Sequence, residues 1–473
     1  MMRKLFLLSI LLIGSLTSRA QVLSESDNPY KFANLVVFVK FADQAANEWA
    51  NSKEYYEKLF NDNSEDANSV RRFFLDQSFG RFDWVSTFAP VEYIDSHTRN
   101  YFQPKSDSNP EGYGSNESQT GSRFKQLIKD MCAFLEDKLP EDVNLDCDDN
   151  NIIDNIVIII NGRSDLGATY QLWPMNAQGA DGRIRGLKSG KFLRVFDEAN
   201  GFSNLKPIPL NTGVLCHEMM HTLGAPDLYT SSSVKTEPVN VWDLMSDNLV
   251  RPQGFTAYIR ERWSRMRGSW IRGEEFTLLD KEGTYSLRPL SYPLAETEGS
   301  ENVVYKIQPD PTNGQYFLVE YRDRRDPWDA GLPASGLLVY RIDPKNYDLG
   351  NLANPIGLYI FRPGGSTTAA GNIKNAPLGS DTGRYSFGTE EDTDFPYYTD
   401  GTRAPFAISE VTENDGNISF RLTFPQTGSA VTEIGIDQAN EGNPVIYNLQ
   451  GIRLQRITSP GLYIINGKKH FVF

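Results

Sequence analysis

The sequence predicts a mixed α/β (α+β) domain, then an all-β, sandwich-like domain, then a small β tail. Three observations carry this reading. Dense β-branched runs alternate with helical periodicities through the first half. From about Glu275 onward, short strand-like runs recur between Gly, Pro and Asn punctuation. After a GSAVTEIG linker the chain closes on another strand-rich stretch. At roughly 150 residues per domain, 473 residues leave room for two or three domains. The expected boundaries are 21–272, 273–425, a linker at 426–433 and a tail at 434–473.

The opening MMRKLFLLSILLIGSLTSRAQ combines Arg3 and Lys4, an apolar run from Leu5 to Leu16 and small residues up to Ala20. That is the pattern of a signal peptide over residues 1–20, cut before Gln21. The run is too short to span a bilayer, and no later stretch approaches one. A secreted chain, extracellular or at the cell surface, is expected. About a dozen residues then precede the first strand, too few for a substantial pro-segment. Losing Arg3, Lys4 and Arg19 and no acidic residue takes the net charge from −14 to −17. So acidic a chain argues against binding nucleic acid or anionic membranes, which both demand surplus Lys and Arg. Hydrophobic residues at 39% and aromatics at 12% suffice for ordinary cores, which excludes global disorder.

The elements follow in order. KFANLVVFVKFAD (31–43) is a buried first strand, SVRRFFL (69–75) a helix, and 81–93 a return to strand alternation. Residues 103–121, rich in Gly, Ser and Asn, form a surface loop. Leu127, Ile128, Met131, Phe134 and Leu135 make one face of a helix over 124–139, and NIVIIIN (155–161) is a second buried strand. In the second half, GTYSLRPL, NVVYKIQP, GQYFLVEYR, SGLLVYRID, GLYIFRPG and NISFRLTF are the strand candidates. Of three cysteines, Cys132 and Cys147 are near enough in sequence to pair and leave Cys216 alone; three buried thiols are an equal reading.

The informative stretch is NTGVLCHEMMHTLGAPDLY, residues 211–229. His217 and His221 lie four apart, so on a helix both imidazoles leave one face and can chelate one ion, zinc being the expected metal. Glu218 stands beside them, placed to act on water at the metal. Gly224 can end the helix in a left-handed turn and bring Asp227 back as a third ligand, although Asp227 could instead cap the turn. Chance would produce HExxH with odds on the order of a few in a thousand at this chain's His and Glu frequencies. The four histidines are His97, His217, His221 and His470, so a three-histidine site would require His97 or His470.

HEMMHTLGAPDLY followed by WDLMS resembles the immune inhibitor A family of secreted bacterial zinc metallopeptidases, whose site is metzincin-like. LVVFVKFAD, SVRRFFLDQSFGRFDW, DNIVIIINGRSD and GQYFLVEYRDRRDPWDAGLPASGLLVYRID resemble blocks of that family in the same order, over about residues 34–345. The resemblance implies a zincin-like catalytic domain and a protein-cleaving zinc endopeptidase with Glu218 as general base. It also implies a methionine turn beneath the histidines, with Met245 at that position. Metzincins often carry a tyrosine two residues after that methionine; Asp247 stands there, leaving Tyr229 and Tyr258 as candidate substitutes.

Two further patterns stand apart from the zinc motif. Asp146, Asp148, Asn150 and Asp154 in DCDDNNIID have the spacing of an EF-hand-like calcium loop, with Asn151 for the usual Gly and Val157 for the bidentate Glu. A plain acidic turn before a strand is the alternative. VIYNLQGIRL…GLYIINGKKHFVF (445–473) is similar to the sorting tails by which Bacteroidetes-type secretion machinery exports its cargo; a small β-hairpin module is the bland reading. The rival to a peptidase is a non-catalytic surface protein binding a host protein or glycan through its β domain, where Trp328, Tyr397 and Tyr398 could line a site, although aromatics in β domains more often pack the core or a strand face.

Overall fold

The computed structural model describes residues 30–114, 121–163, 171–199, 208–230, 237–262, 270, 276–291, 302–346, 350–352, 354–414, 416–424, 445–448, 453–457, 461–465 and 468–472. The expected signal peptide at 1–20 and linker at 426–433 lie outside these residues, as do parts of the tail motifs. The chain divides into two compact units, Met1–Phe424 and Pro425–Phe473.

The first unit opens with β1 (Tyr30–Phe41), α1 (Lys53–Asn61), α2 (Val70–Gln77), β2 (Phe82–Phe88), β3 (Tyr93–Asp95) and α3 (Ser122–Leu135). It continues with β4 (Ile152–Ile153), β5 (Ile156–Arg163), β6 (Met175–Ala177), β7 (Arg183–Ile184), β8 (Leu187–Ser189), β9 (Phe192–Ala199) and β10 (Ile208–Pro209). Then come α4 (Thr212–Leu223) and α5 (Ala257–Arg262). The main sheet runs β10-β9-β5-β1-β2, with β3 on β1 and β6 on β9. β2, β1, β5 and β9 are mutually parallel, whereas β6 and β10 lie antiparallel to β9. Parallel central strands are covered on both faces, which is why LVVFV and IVIII are apolar without alternation. One face, with Val36, Phe38, Val157, Ile159 and Val195, packs on α1, α2 and α4. The other, with Leu35, Val37, Ile158, Ile160 and Phe196, packs on α3.

From β11 the unit is β-rich: β11 (Thr277–Leu279), β12 (Gly283–Leu287), β13 (Val304–Ile307), β14 (Tyr316–Arg322), β15 (Gly336–Ile342), β16 (Leu358–Ile360), β17 (Ala407–Asn414) and β18 (Asn417–Thr423). They form a five-stranded sheet, β11-β13-β14-β15-β16, and a three-stranded sheet, β12-β18-β17. Phe317, Val319, Tyr305, Ile418 and Phe420 from both sheets share one apolar core. The opposite side chains of β14, β15 and β16, among them Leu318, Leu338, Tyr340 and Ile360, join the α4 core instead. The boundary expected at 272 therefore falls where one hydrophobic core runs on from Met220 and Met245 to Tyr340. Mixed α/β architecture followed by β-rich sheets is as predicted.

In the second unit, β19 (Ile446–Tyr447), β20 (Arg453–Leu454), β21 (Gly461–Ile465) and β22 (Lys468–Val472) form an antiparallel sheet ordered β20-β19-β21-β22. No described helix is long and apolar enough to cross a membrane. Two open alternatives resolve here. Trp328, Tyr397 and Tyr398 are buried, because each ring fills a core: Trp328 packs edge-on to Phe73, and Tyr398 lies tilted against Phe317. Cys132, Cys147 and Cys216 are all free thiols, with Cys132 and Cys216 buried and Cys147 half-buried.

Candidate metal centre

α4 forms where the motif predicts it. The Asn211 side chain accepts from the Val214 amide at 3.2 Å and caps the first turn. Leu215, Cys216, Met219 and Met220 face the core, so His217, Glu218 and His221 leave the opposite flank. Gly224 ends the helix with φ 107°, a left-handed turn that costs other residues a Cβ clash. The chain then reverses, and Asp227 returns to the histidines: its Oδ1 lies 3.2 Å from Nε2 of both His217 and His221.

The proton positions on these rings are fixed by their neighbours. Nδ1 of His217 lies 2.8 Å from the Leu244 carbonyl and Nδ1 of His221 lies 2.7 Å from the Ala225 carbonyl. A carbonyl oxygen only accepts, so each Nδ1 carries the hydrogen and each neutral ring turns its Nε2 lone pair toward Asp227. With both rings neutral, two nitrogen lone pairs and a carboxylate oxygen thus converge with no donor between them. Such a set is stable around a cation. For zinc at about 2.0–2.2 Å from N and O ligands, a tetrahedral site separates neighbouring ligand atoms by about 3.3 Å. The observed 3.2 Å fits that edge, so the donor set suits zinc.

The electrostatics agree. Burial opposes charge on His217, yet Asp227 and Glu218 outweigh it and raise its pKa to about 9. Burial likewise opposes charge on Asp227, and hydrogen bonds from protonated imidazole hold its carboxyl well below the usual range. In the absence of a metal, a proton is drawn to the Nε2 lone pair of His217. Of the other histidines, His97 is taken up by Asp95 at 2.9 Å and by stacking on Tyr101. His470 belongs to β22 of the second unit.

Glu218 is positioned by a residue that sequence reasoning missed. The Asn176 amide on β6 donates to Glu218 Oε2 at 3.1 Å, and its side-chain Nδ2 donates to the Glu218 carbonyl and to Thr222 Oγ1. A lone Asn in WPMNAQG carries no motif, so nothing local signals it. Met245 is fully buried, and its carbonyl accepts from the Leu228 amide at 2.7 Å, which ties the methionine turn to the returning Asp227 loop. Tyr229 is partly exposed beside Asp227 and Glu218; burial, then those two carboxylates, pushes its phenol up. Tyr258 is buried in the core.

A buried ionic cluster holds the methionine turn from behind. Asp243 accepts from the Met245 amide at 2.8 Å and from the Thr256 amide at 2.7 Å. Arg322 on β14 donates to the Trp242 carbonyl at 2.8 Å, to the Gly254 carbonyl at 3.1 Å, and bidentately to Asp329 at 2.6 and 2.7 Å. Glu320 accepts from the Ala257 amide and from the Tyr340 hydroxyl. Segment 242–257 is therefore clamped by side chains from β14 and the loop after it.

The acidic loop behaves differently. Asp146, Asp148 and Asp154 carboxylates gather within 4.8 Å. Both Asp146 oxygens, however, accept amides, from Asn150 and Asn151, and Asp154 Oδ2 accepts from Ala33 and Cys147. Asn150 Oδ1 accepts from the Ile152 amide. Asn151 adopts φ 64°, as a turn in the place of Gly requires. These oxygens serve an acidic turn before β5, and calcium is not supported.

Residues 34–255 match the immune inhibitor A peptidase M6 catalytic domain. The chain is 24% identical to the pre-pro-metalloprotease PrtV of Vibrio cholerae serotype O1, strain M66-2, and to that of strain ATCC 39315 / El Tor Inaba N16961. In both cases 52% of this chain and 31% of the relative align, so the chain spans about a third of the length of these curated relatives. Both similarities are to metallopeptidases. The stretch that carries His217, Glu218, His221 and Asp227 thus lies within a region that matches the immune inhibitor A peptidase M6 catalytic domain and is distantly similar to a Vibrio metalloprotease.

Proposed function

We propose that this protein is a secreted zinc-dependent endopeptidase that cleaves proteins, with His217, His221 and Asp227 as metal ligands, Glu218 as general base and a zincin-like catalytic arrangement. The observation that carries the reading is the convergence of two Nε2 lone pairs and the Asp227 carboxylate at 3.2 Å, with Glu218 held beside them by the Asn176 amide. A zinc ion held there supplies Lewis acidity at the scissile carbonyl and makes water acidic enough to attack near neutral pH. Glu218 takes the proton of the attacking water and passes it to the leaving amine. The Leu244 and Ala225 carbonyls keep both rings in the tautomer that ligation requires. Met245 supports the floor of the site. Export is assigned to residues 1–20 and, with sorting machinery as partner, to the C-terminal tail. The β-rich part completes the core under the methionine turn, and the burial of Trp328, Tyr397 and Tyr398 removes the feature that favoured a binding-only protein.

The test is hydrolysis of unfolded casein by the purified full chain in the presence of zinc, beside Glu218→Ala and His217→Ala. The wild type should cleave, Glu218→Ala should keep zinc and lose turnover by a factor of at least about 10³, and His217→Ala should lose the metal as well. Equal cleavage by wild type and Glu218→Ala would place the activity elsewhere, and zinc retained at full affinity by His217→Ala would refute the ligand set.

A further inference from the structure

The α4 helix is joined to the sheet by a continuous chain of side-chain hydrogen bonds through the core. Asn176 Nδ2 donates to Thr222 Oγ1 at 2.6 Å, and Thr222 Oγ1 donates to Asn155 Oδ1 at 2.8 Å. Asn155 Nδ2 donates to Asn34 Oδ1 at 2.9 Å, and Asn34 Nδ2 donates to Ser86 Oγ at 2.8 Å. The chain thus runs from the edge strand β6 through α4 to the neighbourhood of β5, then across β1 to β2. Asn155, Asn34, Thr222 and Ser86 are all buried. Buried polar groups of this kind are costly unless satisfied, and satisfied they fix one geometry.

Its outer end lies at the candidate catalytic group. In an antiparallel strand the amide and carbonyl of one residue point the same way. The Asn176 amide reaches Glu218 instead of β9, so the Asn176 carbonyl also lies on the edge of β6 away from β9, which no described strand covers. Thr222 is one turn after Glu218 on α4, and the Asn176 side chain bonds to both the Glu218 carbonyl and the Thr222 hydroxyl. One amide side chain therefore sets how far β6 sits along α4.

We propose that Asn176 is a positioning residue, locked by the Thr222–Asn155–Asn34 chain, that fixes the register between β6 and α4 and so aims Glu218 and the free edge of β6 at the same bound peptide. This rests on the peptidase reading, since it assigns Glu218 a proton to move. A strand displaced along the helix leaves the metal ligands in place and misaligns the base, so the loss falls on kcat and not on zinc.

The experiment compares the full chain with Asn176→Ala, Thr222→Val, Thr222→Ser and Glu218→Ala. Thr222→Val removes the central hydroxyl at nearly constant shape, and Thr222→Ser restores it. The expected result for Asn176→Ala and Thr222→Val is unchanged zinc content, kcat on a defined peptide lowered about 10–100-fold and KM within about threefold, with Thr222→Ser close to wild type. A second measurement requires no turnover: in the metal-free full chain, amide exchange at Met175–Ala177 should quicken at least about tenfold in Asn176→Ala and Thr222→Val. Wild-type kcat in both variants, activity lost only in step with zinc, or no rescue by Thr222→Ser would overturn the assignment. If the wild type cleaves nothing, the peptidase reading fails separately, and unchanged exchange at β6 still refutes the proposed lock.

Discussion

Arg322 lies 67 positions past the end of the family match, yet it holds the methionine turn. Arg322→Met tests whether the β-rich sheet is part of the metal site. The guanidinium is completely buried; burial opposes its charge, and Asp329 with Glu320 and Asp243 outweighs that. Replacing it with a methionine of similar length keeps most of the volume but leaves the Asp329 carboxylate without its bidentate donor, and the Trp242 and Gly254 carbonyls without theirs. Removing one partner of a buried ion pair costs about 3–5 kcal/mol, so about 4 kcal/mol is expected. A unit of about 400 residues unfolds with an entropy of about 0.8 kcal/mol/K, which makes the loss about 5 °C in Tm. The local effect should be larger than the global one. Trp242 and Asp243 anchor the turn whose Leu244 carbonyl orients His217, so zinc affinity should fall about 10–100-fold, as outer partners of ligands commonly give. Differential scanning calorimetry of the metal-free chain gives the first number, and competition with a chromophoric chelator gives the second. Adding Asp329→Asn to Arg322→Met should recover part of the Tm, because the stranded charge leaves with its partner. A Tm within about 1 °C of wild type, or a zinc affinity unchanged despite lost stability, would show that the clamp does not reach the metal.

Three shorter predictions use the same geometry. Gly213→Ala should destabilise by about 3 kcal/mol on chemical denaturation, since its Cβ would stand 1.8 Å from the Leu249 carbonyl oxygen, a backbone atom that cannot swing aside. Apparent zinc affinity should rise about tenfold per pH unit up to pH about 9 and flatten above it, because below that value the metal must displace the proton that Asp227 and Glu218 hold on His217; a pH-independent affinity between 7 and 9 would contradict this. Met245→Leu should cost less than about 1.5 kcal/mol and Met245→Ala about 2–5 kcal/mol, both with zinc bound, if the buried methionine acts by packing and not by ligation.

Local pattern made the centre of this site legible, and distance in sequence hid its supports. HEMMHTLGAPD encodes ligand spacing, helix end and returning carboxylate within eleven positions, and each falls where the period of a helix and a left-handed Gly place it. The buried strands β1 and β5 and the helices α2 and α3 were readable for the same reason, since unbroken apolar runs and 3.6-residue faces are local signals. β6 and β9 were not readable. Their sequences, MNA and FLRVFDEA, mix Asn, Arg, Asp and Glu into strand positions, and their pairing spans chain that no local period links. The carbonyls of Leu244 and Ala225 have no side-chain signature at all. The acidic loop was legible only as two readings, a calcium loop or an acidic turn, because an oxygen's position in sequence does not say whether backbone amides donate to it, as they do here.

The supports also say what selection on this sequence has to preserve. The proposed metal ligands come from one short stretch, so a fragment could keep the motif intact. What orients those ligands and Glu218 comes from three directions: Asn176 from the sheet edge, Asp243 from the turn at Met245, and Arg322 and Glu320 from β14. Each of these is buried or tied to backbone atoms, and each closes a hydrogen bond that the motif leaves open. A carboxylate such as Glu218 can move a proton only along a line that its surroundings fix, and a misplacement of about 1 Å can remove two orders of magnitude in rate. On the proposed reading, the four motif residues define which reaction is available, and the long-range contacts determine whether it proceeds at a useful rate. The boundary near 272 separates stretches of sequence and leaves this working unit whole, because the core beneath Met245 is closed by Tyr340 and Leu338 from the β-rich sheet.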